Sequence, residues 1–203
     1  NSRTVQSMLL AGKRANKLNI PVVLDPVGVG ATSYRTEVAK KLIEEVHFSV
    51  IRGNLSEIKN IAGIKVATKG VDTSEIGDTS SKMKDEKEIA QQLSKKLNAV
   101  IAITGEVDCV SSKDKNYYIA NGHKILSEIT GTGCMCSSLI GSFCGAESDY
   151  LMAAVAGIAS MGIAGEIAYE KTKNLGIGSF KASLMDSIYN LDLNIYKERS
   201  KIY

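Results

Sequence analysis

Apolar positions recur along this chain with two alternating periods, and the alternation predicts a parallel α/β fold. Thr4–Leu18 reads as a helix with Val5, Met8, Leu9 and Gly12 on one side. Ile20–Asp25, apolar residues closed by an acid, reads as a buried strand of a parallel sheet. A helix over Tyr34–Val46 follows, its stripe made by Val38, Leu42, Ile43 and Val46. Phe48–Ile51 is a second strand, and a helix runs on to Ala62 with Gly63 as its stop. Ile64–Lys84 is polar and reads as loop or irregular helix, with Val66–Val71 partly ordered over the ligand side. Asp85–Asn98 is an amphipathic helix with Asp85 and Glu88 at N-cap and N3 spacing and Ile89, Leu93 and Leu97 as its stripe. Ala99–Thr104 is a third buried strand, ending in Gly105.

The pattern then changes. Val107–Ser111, Asn116–Ala120 and His123–Ile129 read as antiparallel strands joined at Ser112–Lys115 and at Asn121-Gly122, the second a hairpin signal. Thr130-Gly-Thr-Gly-Cys134 leads into three helices, Cys134–Gly145, Tyr150–Lys171 and Ser179–Asn190. The architecture expected is a mostly parallel central sheet with antiparallel hairpin strands and a helical C-terminal part. A parallel α/β sheet rarely opens on a helix, and the first residue is Asn1 rather than Met, so further N-terminal residues are expected.

Composition narrows the classes. A chain of 203 residues suits one domain, and 44% hydrophobic with 23% charged residues is ordinary for a globular protein. The net charge of +3 comes from scattered lysines, which argues against a nucleic-acid partner. Cys134, Cys136 and Cys144 share one predicted turn and helix, Cys109 lies apart, and neither histidine is near in sequence. That spacing suits neither a disulfide framework nor a zinc site, so reduced thiols in a cytoplasmic protein are expected. The most apolar run, Leu151–Ala164, is shorter than the roughly 20 residues of a membrane span.

Open α/β sheets bind ligands at the carboxyl ends of their strands. Asp25 ends the first strand and either faces a ligand or closes a turn before Pro26. The loop Val27-Gly28-Val29-Gly30 lets backbone approach a ligand. Arg52, at the second strand end, can donate to phosphate oxygens. Asn54 and Glu57 have capping-box spacing, so Glu57 either caps a helix or reaches a hydrated Mg²⁺ beside a triphosphate. Thr104 either offers a hydroxyl to phosphate or ends its strand. The Gly131-Thr-Gly133 turn at a helix start either packs closely or points N–H groups at an anion, with Cys134 at its mouth. His47 and His123 read as solvent-exposed rather than catalytic. No Gly-x4-Gly-Lys-[Ser/Thr] loop and no Gly-x-Gly-x-x-Gly after a first strand is present.

Four motifs in order, Leu24-Asp-Pro-Val-Gly-Val-Gly-Ala-Thr32, Arg52-Gly-Asn-Leu-Ser-Glu57, Ile103-Thr-Gly-Glu-Val-Asp108 and Thr130-Gly-Thr-Gly-Cys-Met135, resemble hydroxyethylthiazole kinase, of the ribokinase-like superfamily. The similarity runs from about Ser2 to Tyr189. The resemblance implies a three-layer α/β/α kinase domain over 1–203 that phosphorylates 4-methyl-5-(2-hydroxyethyl)thiazole with ATP and Mg²⁺ for thiamine synthesis. It implies that Arg52 and Thr104, with Asn54 and Gly105 beside them, bind ATP. Asp25 and Glu57 would hold Mg²⁺ through water, and Gly131, Asp25, Val27 and Gly28 would meet the substrate. Backbone from Gly131 through Thr132 and Gly133 to Cys134 would form the anion hole, with Cys134 where most relatives carry an aspartate base. It further implies a homotrimer with the thiazole pocket between subunits, and an N-terminal part of the family lying outside this chain. The alternatives are a related kinase for another small alcohol, disfavoured by cysteine at 134, and a nucleotide-binding subunit without turnover.

Overall fold

A computed structural model describes residues 1–64 and 79–203, with side chains of the second stretch from residue 81. The expected order over Val66–Val71 lies outside the described residues. Among the described residues five strands form one sheet and neighbour one another in chain order. The chain divides into two compact units, Asn1–Gly105 with Cys109–Asn116, and Glu106–Asp108 with Tyr117–Tyr203.

The first unit holds α1 (Ser2–Lys17), β1 (Val23–Leu24), α2 (Ser33–Glu45), β2 (Val50–Asn54), α3 (Leu55–Ala62), α4 (Thr79–Leu97), β3 (Val100–Thr104) and most of β4 (Asp108–Ser111). β1, β2 and β3 are parallel, with Leu24 beside Ile51 and Asn54 beside Thr104. β4 runs back along β3, with Ile101 opposite Ser111. Val50, Ile51, Ile101, Ala102 and Ile103 are buried without alternation. That is the signature of a parallel strand covered on both faces, and each such side chain contributes about 1.5–3 kcal/mol. β1 is shorter than the run Ile20–Asp25. Pro21 has no N–H to give a ladder, and the Val22 carbonyl accepts from Ser49 N at 2.9 Å and, at the start of β2, from Val50 N at 3.4 Å.

α4 begins at Thr79, six residues before the position that Asp85 was expected to cap. Its inward stripe is longer than the apolar pattern shows, because Glu86 is buried on the same face as Ala90 and Leu93. A charged residue on the core side hides a helical turn from any hydrophobic count.

The second unit holds β5 (Asn116–Ile119, whose first residue belongs to the first unit), α5 (Thr132–Ala146), α6 (Tyr150–Thr172), α7 (Ile177–Tyr189) and α8 (Leu193–Arg199). The expected strand His123–Ile129 is a 3-10 helix over Lys124–Glu128 instead. The free edge of β5 is occupied by the chain's own C-terminus. Tyr118 N donates to Tyr203 O at 2.7 Å, Tyr203 N to Tyr118 O at 3.0 Å, and Ala120 N to Lys201 O at 2.9 Å. Asn121-Gly122 is therefore an exit from the sheet and not a hairpin turn. α8 was not expected; Asp192 caps it by accepting from Ile195 N at 2.8 Å.

α6 is buried nearly all round, and 78% of its most apolar window is covered. By length and composition it is long and apolar enough to cross a membrane. Here that apolar surface faces other helices. Gly157 permits the closest of these contacts, since a Cβ there would lie 2.7 Å from the backbone N of Ile140 on α5.

Candidate active site

In the first unit β2 and β3 end level, and β1 ends three residues earlier, with Leu24 beside Ile51. Leu24 and Asn54 close β1 and β2, and Thr104 closes β3 next to Asn54. This register carries Asp25, Arg52, Asn54, Thr104 and Gly105 to one edge of the sheet. The Arg52 guanidinium (Nη1) donates to Asp25 Oδ2 at 3.1 Å, with both side chains only 16% exposed. Arg52 Nε is buried without a hydrogen-bond partner among the described residues. A buried guanidinium N–H without an acceptor is costly, and an anion bound at the strand ends would supply one.

Glu57 does two local jobs. Its Oε2 accepts from Asn54 N at 2.9 Å while Asn54 Oδ1 accepts from Glu57 N at 2.8 Å, a complete capping box for α3. Its Oε1 accepts from Gly28 N at 2.8 Å. The cap expected from spacing is present, and the carboxylate also ties the loop after Asp25 to the start of α3. Gly53 makes room for it, since a Cβ there would lie 3.1 Å from Glu57 Oε2. Gly28 has φ +76°, the left-handed region that favours glycine. Thr104 Oγ1 lies 3.4 Å from Gly53 O, so its hydroxyl bridges β3 to β2. Gly105, just beyond, is exposed.

Sequence reading missed Arg35, whose Nη1 donates to Val27 O at 2.8 Å and whose side chain packs against Gly28. It also missed Thr36, whose hydroxyl accepts from Gly30 N at 3.0 Å. Both are polar residues in the first turn of α2, in line with the buried Ala39 and Leu42, so no apolar stripe marks them.

In the second unit the Gly131-Thr-Gly-Cys134 turn opens α5. Gly131 has φ +105°, and a Cβ there would meet nothing within 4 Å. Glycine is required by conformation, not by space. α5 has no side-chain cap, so the N–H groups of Thr132, Gly133 and Cys134 have no acceptor within the helix. The Thr132 hydroxyl points back, donating to Leu126 O at 2.9 Å and Ile129 O at 3.1 Å. Only its N–H is available to a ligand. Cys134 is exposed, whereas Cys109, Cys136 and Cys144 are buried, and none of the four is in a disulfide. Burial pushes the Cys144 thiol up to about 11.

The histidines divide. His47 is exposed, as expected. His123 is half-buried, its ring stacked on Tyr169 at 3.6 Å, and its Nδ1 accepts from Ile125 N at 3.3 Å to cap the 3-10 helix. Among the described residues no group of three or more His, Cys, Asp or Glu side chains could hold a metal ion by itself.

Comparison with known proteins agrees with these features. A family profile described as hydroxyethylthiazole kinase family matches residues 1–194. A hydroxyethylthiazole kinase of Clostridium tetani is 56% identical over 203 residues, covering 100% of this chain and 74% of the relative. The solved hydroxyethylthiazole kinase of Pyrococcus horikoshii OT3 superposes with TM-score 0.86 at 32% identity, over 100% of this chain and 72% of that one. The pyridoxal kinase of Staphylococcus aureus shares the fold at TM-score 0.56 and 17% identity, over 78% of this chain and 58% of its own.

Proposed function

Because the chain belongs to the hydroxyethylthiazole kinase family, we propose that it transfers the γ-phosphoryl group of ATP to the hydroxyl of 4-methyl-5-(2-hydroxyethyl)thiazole, for thiamine biosynthesis or salvage. The observation that carries this reading is the opening of α5. A glycine-enforced turn opens the helix with no side-chain cap, so three backbone N–H groups have no acceptor within it, and an exposed thiol stands beside them.

The chemistry follows from what these groups can do. The substrate oxygen attacks the γ-phosphorus, an O–P bond forms, the bond to the bridging oxygen breaks, and ADP leaves. Cys134 takes the hydroxyl proton. The loose transition state of phosphoryl transfer asks little of a base. The N–H groups of Thr132, Gly133 and Cys134 stabilise charge on the moving group. Arg52, its Nε still free to donate, holds phosphate oxygens with Thr104, Asn54 and Gly105 lining the strand ends. Gly131, Val27 and Gly28 offer backbone surface to the substrate.

The donor set suits Mg²⁺, which takes one or two carboxylates and keeps its waters. Asp25 and Glu57 are hard oxygen donors already held in place, Asp25 by Arg52 and Glu57 by two backbone N–H groups. They would hold the ion through water, and the ion would neutralise phosphate charge. We further read the protein as a single ribokinase-like domain, cytoplasmic and homotrimeric. Four cysteines outside any disulfide suit a reducing compartment.

Steady-state phosphorylation of the thiazole alcohol tests the reading. Turnover with that alcohol supports it. Turnover only with another alcohol, or ATP binding without turnover, overturns it.

A further inference from the structure

One stripe of α6 packs against a single segment of the chain. Gly162, Gly165, Glu166 and Tyr169 follow one another at helical spacing, and all four meet the segment that leads to the Gly131 turn. A Cβ on Gly162 would lie 2.6 Å from Asn121 O, so glycine lets the backbone of Asn121 sit directly on the helix. A Cβ on Gly165 would lie 2.8 Å from a methyl of Leu126. Tyr169 stacks on His123. Glu166 is the polar centre. Its Oε1 accepts from Gly122 N at 2.9 Å, from Asn121 Nδ2 at 3.2 Å and from Lys201 Nζ at 3.0 Å.

The buried Asn121 side chain extends this cluster to the C-terminal strap. Its Oδ1 accepts from Lys201 N at 2.7 Å, and its Nδ2 also donates to Arg199 O at 2.9 Å. Downstream, the Leu126 and Ile129 carbonyls accept the Thr132 hydroxyl. A continuous set of hydrogen bonds and ring contacts therefore runs from the C-terminal residues through Glu166 and the 3-10 helix to the first turn of α5.

We propose that Glu166 is a positioning residue for phosphoryl transfer, which fixes the Gly131–Cys134 turn by anchoring Asn121-Gly122 to α6 under the C-terminal strap. The inference rests on the role given above to that turn. Glu166 touches no reacting atom. It acts by holding the 3-10 helix, so that the Leu126 carbonyl meets Thr132 and the N–H groups of residues 132–134 stay aligned. Gly122 has φ +139° with open space where a Cβ would be, and its N–H donates to Glu166.

Three variants of the full-length protein test this. Glu166→Ala removes every acceptor. Glu166→Asp keeps the charge but withdraws the oxygen by one methylene. Glu166→Gln keeps an acceptor oxygen in place. Misplaced catalytic groups cost heavily, so Ala and Asp should lower kcat between about ten- and a hundred-fold with KM for ATP nearly unchanged. Gln should stay within about three-fold of wild type. Amide exchange over residues 122–134 should accelerate in Ala and Asp, and exchange over β2 and β3 should not.

Unchanged kcat in Ala or Asp, or unchanged exchange over 122–134, overturns the proposal. A fall in kcat that Gln shares in full also overturns it. Should Ala fail to fold, the contrast between Asp and Gln decides. Wild-type protein without thiazole turnover would remove the functional reading, and exchange over 122–134 in Asp against Gln would still decide whether Glu166 holds the turn.

Discussion

At the scale of single residues, environment separates groups that the sequence presents as alike. Four cysteines are equivalent on paper, yet only Cys134 is exposed, and Cys144 is pushed up to about 11 by burial. Alkylation of native protein at pH 7 should therefore modify Cys134 alone, as peptide mapping would show, and should abolish turnover. Rapid labelling of a second cysteine would contradict the assigned burial. Glu86 is the mirror case. It is 6% exposed, and burial raises its carboxyl above the ordinary range. The folded state then holds the proton more tightly than the unfolded chain. The resulting penalty is absent below about pH 4, where both states are protonated, and grows as pH rises through the folded value. Glu86→Gln should raise the melting temperature at pH 7 and leave it near wild type at acid pH. A loss of stability at pH 7 would mean that Glu86 is compensated by a partner.

At the scale of elements, the legible parts were those with an unbroken period. The parallel strands, the stop at Gly63 and the capping box at Asn54 and Glu57 all follow from local spacing. Less legible was whatever the rest of the chain decides. His123–Ile129 has strand-like composition, but the β5 edge is taken by Lys201–Tyr203, and His123 caps a 3-10 helix. Nothing near residue 125 announces a competitor some 75 residues away. The strand-end residues were named from the sequence. The bond from Gly28 N to Glu57 was not, because it needs the fold to bring the two together. That bond gives Glu57→Gln two separable effects. Losing the negative charge at the N-terminus of α3 should cost about 0.3–1 kcal/mol in denaturant unfolding. Weakened Mg²⁺ dependence of activity should accompany it. A stability loss with an unaltered Mg²⁺ profile would confine Glu57 to capping. On α6, Gly157→Ala would press a methyl onto Ile140 and should cost about 1–3 kcal/mol, readable as a lower urea midpoint. A neutral effect would mean that α5 can move away.

For the molecule as a whole, membership of the hydroxyethylthiazole kinase family and the local geometry bear on different claims. The family match spans residues 1–194. The geometry supplies a buried arginine Nε without a hydrogen-bond partner among the described residues, a carboxylate held by two N–H groups, and a helix start with an exposed thiol. These are the parts phosphoryl transfer requires, namely charge stabilisation and positioning with only modest demand on the base. The central claim is that Cys134 takes the proton while the strand ends hold ATP. Its most direct test compares wild type with Cys134→Ser in steady-state phosphorylation of the thiazole alcohol, with ATP affinity measured separately. The prediction is that the variant binds ATP as tightly as wild type and loses most of its kcat. Unchanged kcat in Cys134→Ser would contradict it.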